Sequence, residues 1–368
     1  MPLPPLTFHL VDLDEPAFRA TFDPLVARWN ARLEGADASG SGADARRLEE
    51  VPLDACVVPT DDNRSKADET SAAESTGLPL DVLVAGVAKR EQLERGPARL
   101  IIPWAGVPRS VAALLTEFPG VSVHNLHYNA IPVAEHALAL LLAVARRLVP
   151  ADRLLRAADW SWRFRPTDSP LLAGKRMLVL GAGALAQRIA RAGIGLDLAP
   201  TLFGTRPRTL ELELPGVRLP LTVIGPALLD AALAEADILV VTLPWTPATE
   251  AFVDARRLAL LPRGAIIINV GRGAVIDEAA LFEALRTGHL GGAGLDVWYD
   301  YPREEEARKT TPPSRFPFAD LDNVVLSPHR AGHGLESDRL CAEHLFQALT
   351  RAATGQPIGN DVDPARGY

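Results

Sequence analysis

The sequence predicts an α/β protein centred on a doubly wound parallel sheet, and three observations carry that expectation. Residues 177–180, MLVL, form a short apolar run that passes straight into Gly181-Ala182-Gly183-Ala184-Leu185-Ala186. Strand-like and helix-like stretches then alternate as far as residue 297 at the spacing of repeated βα units. Polar or glycine-bearing turns fall at the ends of the expected strands, the edge where open α/β sheets hold ligands.

Taken in order, residues 7–11 read as a first strand, and residues 15–33 carry Phe18, Phe22, Leu25, Val26 and Trp29 at helical spacing. Stretches 35–45 and 59–79 are small, polar and charged and are expected to be mobile excursions. Apolar runs at 55–58, 82–87, 100–102 and 121–123, with helical patterns at 90–94 and 110–117, predict a small parallel α/β domain. A long apolar helix ends near Arg147, and residues 151–165 are expected to form a second helix, with Trp160 and Trp162 near its end as a candidate interdomain or subunit contact. After the glycine turn come strands near 201–203, 238–241, 265–270 and 294–297, alternating with helices at 227–236, 254–261 and 278–287.

Composition narrows the partners. The net charge is −8 and no Lys/Arg block exceeds a pair, which excludes nucleic acid and anionic membranes as expected partners. Cys56 and Cys341 make neither a disulfide framework nor a metal spacing, and a reducing, cytoplasmic setting is expected. The N-terminus lacks the basic start and small-residue cleavage site of a leader, and no apolar helix is long enough to span a bilayer. At 368 residues, two domains are expected.

The glycine turn has the outline of a phosphate-binding turn. Gly181 permits the bend, Gly183 lets the backbone approach a pyrophosphate, Ala184 and Leu185 open the helix whose N–H groups meet the anion, and Ala186 allows close helix–strand packing. Any strand-to-helix corner could look like this; the repeated βα pattern makes it a dinucleotide site. Where a carboxylate usually accepts the ribose hydroxyls, this chain has Thr205 and Arg206, followed by Arg208. A hydroxyl beside two guanidiniums suits a 2′-phosphate, so NADP is expected over NAD.

Three more stretches fall at strand ends and should face the cofactor: 242–244, 269–273 with Val270, Gly271 and Arg272, and 326–333 with His329. An Arg there can grip a carboxylate through two parallel hydrogen bonds, and a His can exchange a proton near neutrality. Together they suit interconversion of a 2-hydroxy acid and a 2-oxo acid. Trp104, Ala105, Gly106 and Val107 follow another strand end and, with Asn129, are candidate substrate contacts. His124 and His127 lack a completing Cys or carboxylate, so no metal site is expected.

At this point the sequence resembles the D-isomer-specific 2-hydroxyacid dehydrogenases. From about Asn129 to Gly332 it carries NAIPVAEHALALLLA, GAGALA, VTLPWTPAT, NVGRGAVIDEAAL, GGAGLDVW and SPHRAG in the family's order. The resemblance implies a Rossmann-type dinucleotide-binding domain, residues 131–332 with interdomain helices, inserted into a smaller flavodoxin-like α/β substrate domain formed by 1–130 and 333–368. It also implies a homodimer, Arg272 as the substrate-binding Arg, His329 as the acid/base, Asp296 holding the nicotinamide amide, and Leu243, Pro244 and Thr249 packing around the cofactor.

One departure stands out. The family places a Glu before the Pro that follows DVF or DVW, and that Glu pairs with the catalytic His; here LDVWYDYP puts Tyr301 before Pro302. Tyr301 is therefore expected to hydrogen-bond His329 or the substrate, leaving a His of lower pKa than a carboxylate would give. The expected activity is hydride exchange between NAD(P) and a small 2-hydroxy or 2-oxo acid. The alternatives are a dinucleotide-binding sensor that has lost turnover, or a dehydrogenase of a small inorganic or one-carbon anion.

Overall fold

The computed structural model describes residues 3–38, 45–52 and 80–363. Cys56, the apolar run at 55–58, the excursion at 59–79 and residues 39–44 of the first excursion lie outside them. The chain forms two compact units, one of residues 1–129 with 335–368 and the other of residues 130–334. Among the described residues, no helix is long and apolar enough to cross a membrane.

The first unit holds a five-stranded parallel sheet of β1 (Leu6–Leu10), β2 (Leu48–Glu50), β3 (Val82–Val84), β4 (Arg99–Ile102) and β5 (Ser122–Asn125), in the order β2-β1-β3-β4-β5. Alternate strand residues go to opposite faces, as the pleat requires. Leu6, Phe8, Val82, Val84 and Ile101 pack with Phe18 and Phe22 of α1 (Pro16–Ala38) and with Cys341, Leu345 and Leu349 of the last helix, Ser337–Ala353. Leu83, Leu100, Ile102 and Val123 pack with Leu93 of α2 (Arg90–Leu93) and with Val111 and Leu115 of α3 (Arg109–Leu115). α1 runs to Ala38, past the expected end at residue 33 and into the stretch read as an excursion.

The second unit opens with α4 (Ala130–Ala145) and α5 (Leu148–Arg156), then β6 (Arg176–Leu180), α6 (Ala184–Ile194), β7 (Ala199–Phe203), β8 (Arg208–Leu214), β9 (Val217–Ile224) and α7 (Leu229–Glu235). It continues with β10 (Ile238–Val241), α8 (Ala255–Leu260), β11 (Ile266–Asn269), α9 (Glu278–Arg286), β12 (Gly292–Leu295) and β13 (Val324–Leu326). The eight strands lie in the order β13-β12-β11-β10-β6-β7-β9-β8, all parallel except β8 against β9. Met177, Val179, Val240 and Ile268 meet α4 and α6 on one face, while Leu178, Leu180, Leu239 and Ile267 meet α7, α8 and α9 on the other. The sheet is doubly wound.

Several elements differ from the sequence expectation. The β8–β9 hairpin was not expected, although Leu210, Leu212 and Leu214 before Pro215-Gly216, and Leu219, Leu221 and Val223 after, alternate with period two. α5 stops at Arg156, so Trp160 and Trp162 belong to a separate short 3-10 segment, Ser161–Phe164, and its approach. β12 begins two residues earlier than expected and leaves Asp296 just past its end.

The connection at 303–320 is anchored at its far end. Glu278 accepts hydrogen bonds from Ser314 Oγ and from the Arg315 amide and Nε, and Phe316 and Phe318 pack on Phe282.

Candidate active site

The site of the second unit lies at the C-terminal ends of its parallel strands. β6 delivers the glycine turn. Gly181 has φ +127°, and a Cβ there would stand 2.3 Å from Thr242 Oγ1, so both conformation and space require glycine. Gly183 caps α6 without a side-chain hydrogen bond, and a Cβ built on it would meet nothing within 4 Å. That open space in front of a helix N-terminus fits a pyrophosphate. Gln187, to which the sequence reading gave no role, braces the turn by donating from Nε2 to Ala182 O at 3.0 Å.

β11 delivers Arg272. Asn269, buried at the strand end, accepts the Gly271 N–H and donates to Arg272 O, both at 3.1 Å. Glycines flank the Arg because backbone presses on both sides: a Cβ at 271 would stand 2.7 Å from Leu243 O, and one at 273 would stand 2.3 Å from Trp298 O. The guanidinium donates to Gly271 O at 2.7 Å and keeps an exposed surface. Desolvation by the neighbouring protein lowers its pKa, opposed by the Tyr301 phenol. Among the described residues, no carboxylate forms an ion pair with it.

β12 and β13 deliver Asp296 and His329. Asp296 is 1% exposed and accepts from Ser327 Oγ (2.5 Å), Arg330 N (2.9 Å) and Ala331 N (3.0 Å). His329 stands in the left-handed region at φ +58°. Desolvation first, and the Arg272 charge second, push it below the ordinary imidazole value; Asp296 opposes them.

The expected hydrogen bond from Tyr301 to His329 is absent. The Tyr301 hydroxyl instead accepts the Trp298 N–H at 2.9 Å, a tight turn that the LDVWYDYP sequence closes on itself, and its ring lies tilted against the imidazole. Glu304, Glu305 and Glu306 are exposed, and Glu305 pairs with Arg308.

The comparisons with known proteins agree with this geometry. Residues 138–331, more than half the chain, match the family model described as "D-isomer specific 2-hydroxyacid dehydrogenase, NAD binding domain". The chain belongs to this family. It is 30% identical over 241 residues to a glycerate dehydrogenase of Methylorubrum extorquens, covering 64% of this chain and 69% of that protein. It is 32% identical to a glyoxylate reductase of Pyrococcus furiosus, covering 61% and 63%, so that alignment spans less than two thirds of the relative. A D-isomer specific 2-hydroxyacid dehydrogenase from Xanthobacter autotrophicus, solved with NADPH and MES, superposes with a TM-score of 0.68 at 26% identity, over 98% of this chain and 99% of that one. An NADPH-dependent glyoxylate/hydroxypyruvate reductase from Sinorhizobium meliloti gives 0.66 at 25% identity over the whole of both chains. This is an NAD(P)-dependent class of oxidoreductase acting on 2-hydroxy acids.

Among the remaining candidates of this dehydrogenase, Thr205 and Arg206 are exposed after β7, and Arg208 Nη1 reaches back to Arg206 O at 3.4 Å. Leu243 and Pro244 follow β10, and Val270 follows β11 at the same edge. Thr249 serves its own turn: Oγ1 donates to Pro244 O at 2.7 Å and accepts the Thr246 N–H at 2.7 Å. Trp104, Ala105, Gly106, Val107 and Asn129 belong to the other unit. There the Trp104 ring lies over Gly86, where a Cβ would stand 1.7 Å from the indole, and Asn125 Nδ2 ties down Ala105 O at 2.7 Å. His124 is engaged by Gly359 O, Ser122 and Asp361. Among the described residues, no group of three or more His, Cys, Asp or Glu is arranged to hold a metal.

Proposed function

We propose that this chain is an NADPH-preferring reductase of small 2-oxo acids, with Arg272 binding the substrate carboxylate and His329 delivering the proton. The observation that carries the reading is the Arg272 guanidinium, without a carboxylate partner among the described residues and near enough to His329 to lower its pKa. An unpaired, partly desolvated Arg favours an arriving anion, and the fork geometry orients a carboxylate.

The dinucleotide would lie along the strand ends, its pyrophosphate at Gly183 and the α6 N-terminus, and when bound it supplies the hydride. His329 supplies the proton that the nascent alkoxide requires. Arg272 orients the acid and stabilises charge developing on the carbonyl oxygen. Asp296, at the strand-end edge just past β12, would hold the nicotinamide amide, as the family resemblance implies. Thr205, Arg206 and Arg208 support NADPH over NADH, because neither guanidinium is ion-paired among the described residues, Arg206 lying in the loop after β7 and Arg208 opening β8. Residues 1–129 with 335–368 would be the substrate domain and residues 130–334 the dinucleotide domain, with Trp104 to Val107 and Asn129 contacting the substrate.

The protein is also proposed to work as a homodimer. Leu148, Leu155, Trp160, Phe164 and Leu171 expose large apolar surface within one stretch of the second unit, Phe164 at 79%. These exposed apolar side chains are where we place the contact with the second copy.

The experiment is to follow NADPH and NADH absorbance against glyoxylate, hydroxypyruvate, pyruvate, bulkier 2-oxo acids, formate and phosphite. Turnover of glyoxylate or hydroxypyruvate with NADPH supports the reading. Tight dinucleotide binding with no turnover overturns it.

A further inference from the structure

Behind His329 lies a cluster in which two members have no assigned role. His136 projects from α4 and Ser327 directly follows β13; His136 Nε2 and Ser327 Oγ are 2.9 Å apart. Ser327 Oγ in turn lies 2.5 Å from Asp296 Oδ1, and His136 Nε2 stands 3.5 Å from the same oxygen. The donor roles follow from the chemistry of the three groups. An ionised Asp296 has none to give and the Ser327 hydroxyl has one, so the hydroxyl donates to the carboxylate and the imidazole must donate to the hydroxyl from Nε2.

On its other side, Asp296 accepts the amides of Arg330 and Ala331, the two residues after His329. His329 sits at φ +58°, a conformation that a residue with a Cβ keeps only where its surroundings impose it. Two consecutive amides closing on one carboxylate are such an imposition. Trp298 adds a strut, donating Nε1–H to Ser327 O at 2.8 Å while its own amide goes to the Tyr301 hydroxyl. A continuous run of hydrogen bonds thus converges on Asp296, from His136 through Ser327 on one side and from the amides of the turn that carries the imidazole on the other.

We infer that His136 and Ser327 are positioning residues that act through Asp296 to hold His329 in its left-handed turn beside Arg272 and Tyr301. The inference deepens the proposed function, since it rests on His329 being the proton-transfer group. Besides burial, the charged groups acting on His329 are Arg272, Asp296 and His333, with the Tyr301 ring packed against the imidazole, and the network holds one of them, Asp296.

The test is an NMR titration of the His329 imidazole in the full chain, assigned by loss of its signal in His329→Asn. Removing a donor from Asp296 leaves more negative charge acting on the imidazole. The midpoint should therefore rise by about half a pH unit or more in Ser327→Ala and in His136→Leu. Ser327→Thr and His136→Gln keep a hydroxyl and a donor amide in place and should return it toward the parent. Midpoints that stay put or fall in folded Ser327→Ala and His136→Leu overturn the inference, as does failure of both conservative variants to restore them. If Ser327→Ala does not fold, the His136 pair decides, because that ring reaches the cluster from a partly exposed position. In turnover, kcat should drop about tenfold in His136→Leu with KM for the oxo acid little changed. The titration reads the network whether or not the chain reduces a 2-oxo acid, so failure of the activity and failure of the network are seen separately.

Discussion

The Tyr301 ring stands 5.5 Å, centroid to centroid, from the His329 imidazole at an interplanar angle of 53°, while the Tyr301 hydroxyl is turned back onto the Trp298 amide. A phenol that packs on an imidazole without hydrogen-bonding it adds desolvation and no charge. Installing the missing carboxylate by Tyr301→Glu should raise the His329 midpoint by roughly one unit or more. Tyr301→Phe should leave the pH profile unmoved and cost about 1 kcal/mol of stability, from the Trp298 N–H that loses its acceptor. Denaturant titration and pH-rate profiles of the two variants check both outcomes; a profile shifted in Tyr301→Phe would show that the hydroxyl acts on His329 after all.

His329 also gives a pH dependence whose sign follows from its lowered pKa. With His329 as the proposed proton donor, reduction needs its protonated imidazole, so kcat/KM for the oxo acid should keep rising as pH falls below ~6.5, the ordinary imidazole value. Stability moves the opposite way. Because the folded value is the lower one, the unfolded chain binds more protons between the two, and this group's contribution is complete above the unfolded value and lost as pH falls through the folded one. Rate profiles paired with thermal melts across the same range test this, and a reduction rate already flat near pH ~7 would contradict it.

The two glycines of the phosphate turn should separate folding from binding. Gly181→Ala forces a Cβ into the left-handed region and against Thr242 Oγ1, so it should lower the melting temperature. Gly183→Ala meets open space, so its melting temperature should match the parent while the added methyl weakens dinucleotide binding by about tenfold or more. Calorimetric melts and dinucleotide titrations on both variants suffice, and equal melting temperatures would show that the Gly181 turn is not strained.

The contrast between these residues shows what was legible in the sequence. The βα alternation, the glycine turn and the placing of Arg272 and His329 at strand ends follow from local periodicity, because strand ends of a doubly wound sheet share one edge. The outlet of the Tyr301 hydroxyl did not follow, since a tight backbone turn competed for it and won. His136 and Ser327 are 191 residues apart, and neither local pattern signals the other. Asn269 opens a recognised motif and Gln187 directly follows another, yet their bonds to Arg272 O and Ala182 O depend on turn geometry that residue identity alone does not specify.

Dinucleotide choice should turn on the residues after β7. Replacing Arg206 and Arg208 together by Ser removes both charges that would meet a 2′-phosphate, and KM for NADPH should rise about tenfold to a hundredfold while that for NADH stays within about twofold. Adding Thr205→Asp should reverse the preference, because a carboxylate accepts ribose hydroxyls and repels the phosphate. Equal losses for both dinucleotides would mean that this loop shapes the site without reading the phosphate.

Trp104 supplies the last prediction, on substrate size. Its indole covers Gly86 so closely that no other residue fits beneath it, and the next residue of the loop is pinned by Asn125 through Ala105 O. A bulky side chain held in this way narrows the space available beside the loop, whereas a free one could swing aside. Trp104→Ala should therefore raise kcat/KM for branched or aromatic 2-oxo acids relative to glyoxylate by about tenfold, the discrimination that a few methylene contacts can provide. Gly86→Ala should give the same broadening by lifting the indole instead of deleting it. If both variants keep the parent's ranking of oxo acids while remaining folded, Trp104 does not line the substrate's side-chain pocket, and other residues set the specificity.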